Sequence, residues 1–170
     1  MKNKKIKKSE SGFTLIEILV VIGLIALLAA VVIIAINPAR QFAQGRNSQR
    51  VSNVNAILNA IGQRIADNKG LFRASDDLVC VVNLPTATST TQIISSTGVD
   101  LRPCIAPTYI SELPVDPVDG KACADAACSA GYNTEYTVLQ DANGRVTVCA
   151  PKSKNETAIE ANPEEICVTR

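Results

Sequence analysis

The chain has 170 residues, 17 Lys and Arg against 16 Asp and Glu, six Cys, no His and no Trp. Its formal net charge is +1, and the first twelve residues alone carry +4 (Lys2, Lys4, Lys5, Lys7 and Lys8 against Glu10), so the remainder is about −3. That balance excludes a general nucleic-acid binder, whose basic charge would lie on the folded part. The missing His, the lack of a nucleophile–base pair and the lack of a phosphate loop argue against an enzyme.

A basic leader, residues 1–12, precedes the apolar segment. Residues 18–39 carry no charge until the next arginine and are almost all Ile, Leu, Val or Ala. As a helix they span about 33 Å, enough to cross a hydrocarbon core. A secretory signal would have a shorter apolar region closed by a small-residue cleavage site, and neither feature is present. The lysines hold the N-terminal side in the cytoplasm, which places the bulk of the chain outside. Inside the run, Gly12-Phe13-Thr14-Leu15-Ile16-Glu17 places one carboxylate. An acid at membrane depth costs about 2.5–3.5 kcal/mol, so it calls for a function.

Asn37-Pro38 follows, and Pro38 is expected to kink or locally melt the helix. Residues 41–68 continue a helical pattern in which Val51, Val54, Ile57, Leu58, Ile61 and Ile65 recur at three and four. Arg46, Gln49, Arg50, Asn53, Gln63, Arg64 and Asp67 read as the opposite, polar face. Asn68-Lys69-Gly70 is a stop signal. A continuous helix from Phe13 to Lys69 would be about 85 Å long.

Residues 76–107 read as a loop with short apolar pieces at 78–82 and 92–94, and residues 86–91 as an exposed polar stretch. Tyr109-Ile110-Ser111-Glu112-Leu113-Pro114-Val115-Asp116-Pro117 comes next. Residues 132–139 and 145–149 alternate as strands around an Asp141-Ala142-Asn143-Gly144 turn, and residues 165–169 form a short last strand.

All six cysteines follow the apolar segment, which predicts disulfides in an oxidising compartment. Six cysteines allow fifteen pairings; we expect Cys80 with Cys104, Cys123 with Cys128, and Cys149 with Cys167, each closing a local loop. Zinc is not favoured: Cys123 and Cys128 are the only close pair and lack both a second pair and any His.

The basic leader with Gly12, Phe13 and Glu17 resembles the processing signal of type IV pilins and type II secretion pseudopilins. The Tyr-Ile-x-x-Leu-Pro-x-Asp-Pro string is a second point of resemblance. The resemblance implies an α+β, type IV pilin-like fold. A long N-terminal helix, half transmembrane and half amphipathic, packs on a small antiparallel sheet with a variable loop. The expected divisions are a cleaved leader (1–12), a filament-core helix (13–39), an amphipathic helix (40–69), a variable loop region (70–107) and a disulfide-bonded sheet region (108–170). It further implies cleavage between Gly12 and Phe13, N-methylation of Phe13, and pairing of Glu17 with a subunit amine to set axial register. Expected partners are other copies and related pilins, a prepilin peptidase and methyltransferase, a membrane platform protein and an assembly ATPase.

Major pseudopilins bind calcium after the Asp-Pro string, which makes Asp116, Asp119 and Asp125 calcium candidates. The aromatic and extra acidic residues usual there are absent, and Cys123 and Cys128 stand in the loop instead, so no cofactor is expected. A surface pilus for adhesion, motility or DNA uptake is the expected function. A periplasmic pseudopilin piston and a non-polymerising anchored binding domain stay open as alternatives.

Overall fold

The computed structural model describes residues 12–74, 77–86 and 92–170. The leader residues 1–11, residues 75–76 and most of the polar stretch at 86–91 lie outside the described residues. The chain divides into two compact units, Met1–Gln41 and Phe42–Arg170.

In the first unit, helix α1 spans Leu15–Ile36 and buries none of its side chains. With a mean hydropathy of 3.4, it is long and apolar enough to cross a membrane. Thr14 caps its start. It ends where Asn37 turns into the left-handed region at φ 45°, and α2, Pro38–Asp67, begins at the next residue. Pro38 is therefore not a kink inside one helix but the first residue of a second one. At that position its fixed φ suits the helix and its missing N–H costs nothing. The Asn37 carbonyl accepts the N–H groups of Arg40 at 3.1 Å and Gln41 at 3.4 Å.

In the second unit, α2 buries Val54, Ile57, Leu58 and Ile61 at helical spacing. Val51, placed on this stripe from the sequence, is 42% exposed. Arg50 and Arg64, placed on the polar face, are instead 1% and 7% exposed. Lys69 and Gly70 both take positive φ, and the Gly70 N–H returns to the Ile65 carbonyl at 2.8 Å, which closes the helix.

Four strands, β1 (Gln92–Ser95), β2 (Asn133–Gln140), β3 (Val146–Ala150) and β4 (Ile166–Thr169), form an antiparallel sheet in chain order. Strand β1 comes from the region read as loop. Its four residues are too few to display an alternation, and its pairing with β2 shifts register between Ile93 and Ser95. The β2–β3 turn has Gly144 at φ 84°, and the Asp141 carboxylate accepts the N–H groups of Asn143 and Arg145 at 2.9 and 2.8 Å. A one-turn helix α3 (Arg102–Ile105) and a 3₁₀ turn (Pro151–Asn155) complete the elements among the described residues.

The core of this unit joins the α2 stripe to Ile94, Leu101, Ile105, Tyr136, Val138 and Val148. Each of these six is fully buried. Burying such a side chain contributes about 1.5–3 kcal/mol, so this contact is what holds α2 on the sheet.

Candidate functional site

The motif at the start of α1 is built by a capping box. Thr14 donates its backbone N–H and its hydroxyl to Glu17 Oε2, at 2.8 and 2.7 Å, and the Glu17 N–H donates back to Thr14 Oγ1 at 3.3 Å. The single carboxylate of the apolar helix is thus held by its own helix start, one turn from Phe13. Phe13 is 85% exposed, and every residue of α1 is exposed. A Cβ built on Gly12 would meet nothing within 4 Å among the described residues.

A second cluster lies in the folded body and has no counterpart in the sequence reading. Arg50 Nε donates to Asp116 Oδ2 at 2.6 Å and its Nη2 to Oδ1 at 3.2 Å. The Arg50 Nη1 donates to Glu156 Oε1 at 2.6 Å and to Asn47 Oδ1 at 2.9 Å. Arg46 grips the same Glu156 through Nε and Nη2, at 2.7 and 2.5 Å. Two guanidinium forks and two carboxylates therefore interlock in planar, bidentate fashion. Asp116 also accepts the N–H groups of Val118 and Asp119 at 2.9 and 3.1 Å, so the Asp-Pro string folds around it. The Arg46 guanidinium, followed by that of Arg50, overrides the effect of burial and holds the Glu156 carboxyl down at about 2. Burial alone would raise the Asp116 carboxyl, but the Arg50 fork and the two N–H groups outweigh it and keep it below its ordinary value.

Arg64 acts as a local staple. Its Nε donates to the Phe72 carbonyl at 2.8 Å and its Nη1 to the Cys104 carbonyl at 2.6 Å, and its Nη2 pairs with Asp77. One buried cation thereby ties α2 to the segments on both sides of the loop. The sequence did hold a signal for both arginines. Arg50 and Arg64 stand seven residues before and after Ile57, which is two helical turns and the same face.

The structure joins Cys80 to Cys104, Cys123 to Cys128 and Cys149 to Cys167. The last pair sits directly opposite across β3 and β4. Asp116, Asp119 and Asp125 do not converge on a common point. Asp116 belongs to Arg50, Asp119 lies 3.4 Å from Lys152 Nζ, and Asp125 accepts the N–H and hydroxyl of Ser129. Among the described residues, the one trio of Cys, Asp or Glu donors close enough to share an ion is Cys149, Glu165 and Cys167, and its two sulfurs are bonded to each other. As placed, these three aspartates do not form a calcium cage, which needs six to eight oxygens around one ion.

Residues 7–36 match a family model described as the prokaryotic N-terminal methylation motif. A curated relative, the type II secretion system core protein G of Aeromonas hydrophila, is 31% identical over 111 residues, covering 65% of this chain and 69% of the relative. No solved structure matches.

Proposed function

The chain belongs to the type IV pilin and pseudopilin family, and from that premise we propose that it is a prepilin whose mature form polymerises into a type IV pilus-like filament. The observation that carries this reading is Glu17, the one carboxylate of α1, set one turn from Phe13. A membrane aspartyl peptidase cuts between Gly12 and Phe13, and the new amine of Phe13 is methylated. The chain waits in the cytoplasmic membrane with α1 as its single span, its N-terminus in the cytoplasm and its folded body outside.

In that precursor state the capping box satisfies the Glu17 carboxylate. On assembly, α1 leaves lipid for a bundle of its own copies, where packing replaces lipid contact. There Glu17 takes the amine of Phe13, its own or a neighbour's. An unpaired carboxylate in that low-dielectric core is costly, so the pair selects axial register. Other pilin copies, the peptidase and methyltransferase, a membrane platform protein and an assembly ATPase are the working partners. Nucleic-acid binding is not a dedicated role.

Two observations divide the pilus from the secretion piston. The commitment of Asp116 to Arg50 and the Cys123–Cys128 bridge in the Asp-Pro loop favour a pilus. The name of the curated relative favours the piston of a type II secretion system. A third kind of role, an anchored binding domain that never polymerises, leaves Glu17 only its place in the capping box.

Mass spectrometry of protein sheared from the surface of the source cells tests the reading. The expected product begins at N-methyl-Phe13 and is six hydrogens lighter than its fully reduced form. Full-length chain still starting at Met1, found only in the membrane fraction, overturns it. Mature chain that stays cell-bound while exoproteins accumulate inside on deletion assigns the secretion role.

A further inference from the structure

This inference rests on the reading of α1 as a membrane span. Three arginines follow α1 in close succession: Arg40, Arg46 and Arg50. Two of them are taken up inside the folded body, Arg46 by Glu156 and Arg50 by Asp116 and Glu156. Arg40 is exposed, and among the described residues its guanidinium has no hydrogen-bond or ion-pair partner. Its backbone is fixed, because its N–H returns to the Asn37 carbonyl at 3.1 Å and lies 3.4 Å from Asn37 Oδ1.

The dimensions place that cation. The 22 residues of α1 make a helix of about 33 Å, against a hydrocarbon core of about 30 Å. The headgroup layer adds roughly 5–7 Å on each side. Arg40 stands four residues past Ile36 and three past the left-handed turn at Asn37, a displacement on the order of 6 Å. Its Cα therefore stands at the outer edge of the headgroup layer, from which the long side chain reaches back to phosphates whose oxygens match the guanidinium fork. A cation on that side runs against the charge bias that puts Lys and Arg in the cytoplasm. The folded body neutralises two of the three arginines and leaves this one.

We propose that Arg40 docks on lipid phosphate at the outer membrane–water boundary and sets the depth at which α1 waits before assembly. The contact is an electrostatic latch at the outer end of the span, opposite the lysine-rich leader.

The chain has no Trp. Phe42, 68% exposed, can therefore become a lone depth reporter through F42W. The full-length chain is reconstituted in phosphatidylcholine–phosphatidylglycerol vesicles carrying lipids brominated at graded depths. Expected is strong quenching of the introduced indole by the shallowest bromines. R40Q, made in the F42W background, should lose that quenching and shift emission to the red, while R40K should retain both. Added inorganic phosphate should change nothing; a shift on adding it would assign the site to the free anion and overturn the lipid proposal. If the vesicles float with the protein but R40Q leaves the depth profile unchanged, the latch is refuted and the span survives. Protein that fails to float refutes both.

Discussion

Replacing Asp116 with Asn tests whether the buried ion network organises the folded body. The side chains of Arg50 and Asp116 are each 1% exposed. Asn keeps the shape and can still accept the N–H groups of Val118 and Asp119, but it removes the charge that faces Arg50. Removing one partner of a buried pair costs about 3–5 kcal/mol, and the retained turn contacts place this change at the low end, about 3 kcal/mol. For a body of this size that is a fall in Tm of roughly 10 °C. The Arg145–Asp141 pair is the comparison, because Arg145 is 64% exposed. R145Q should cost less than about 1 kcal/mol.

Thermal unfolding of the detergent-solubilised chain, followed by circular dichroism, reads both variants. A D116N midpoint within about 2 °C of the wild type, or no lower than that of R145Q, would refute the reasoning. The same network fixes the direction of acid sensitivity. Glu156 titrates at about 2 in the folded chain against an ordinary 4.5, so the unfolded chain binds its proton first. Its contribution is present above pH 4.5 and is lost as pH falls toward about 2. The amount is on the order of 3 kcal/mol. E156Q should flatten that part of the pH–stability curve.

Three other outcomes are expected. Replacing Cys149 and Cys167 with Ala opens a link between residues 18 apart and should cost roughly 3 kcal/mol, read by urea unfolding; a change below about 1 kcal/mol would show that β4 is held by its other contacts. Removing calcium with a chelator should leave Tm unchanged, since Asp116 and Asp119 face Arg50 and Lys152; a fall reversed by added calcium would refute that assignment. Gly144→Val forces a β-branched residue into φ 84° and should cost at least about 1 kcal/mol with the β2–β3 pairing retained, whereas an unchanged Tm would mean that the turn readily adopts another form.

What the sequence could show depended on how far apart the interacting residues lie. The anchor, the Gly12–Phe13–Glu17 spacing, the α2 stripe and the β2–β3 turn are local patterns, and a short window of sequence contains each of them. Strand β1 escaped that window because it exists only through its pairing with β2, far along the chain. The ion network escaped for the same reason. Asp116 lies 66 residues from Arg50, and Glu156 lies 106 residues from it. What misled was the assumption that charge marks the solvent face. Arg50 and Arg64 keep the phase of Ile57, and phase is the better guide than polarity. The end of α1 misleads differently: Pro38 reads as a helix breaker, but the left-handed turn belongs to Asn37.

The three disulfides have a consequence for how the chain acquires its fold. They join consecutive cysteines along the chain, 80 to 104, 123 to 128 and 149 to 167, and no loop encloses or crosses another. For a body threaded outward from α1, each bridge has both its sulfurs across the membrane before the first cysteine of the next bridge arrives. An oxidant that simply joins consecutive thiols on emergence reaches the native set, and reshuffling of wrong pairs is not required. Oxidation of a body exported as proposed can therefore keep pace with its export.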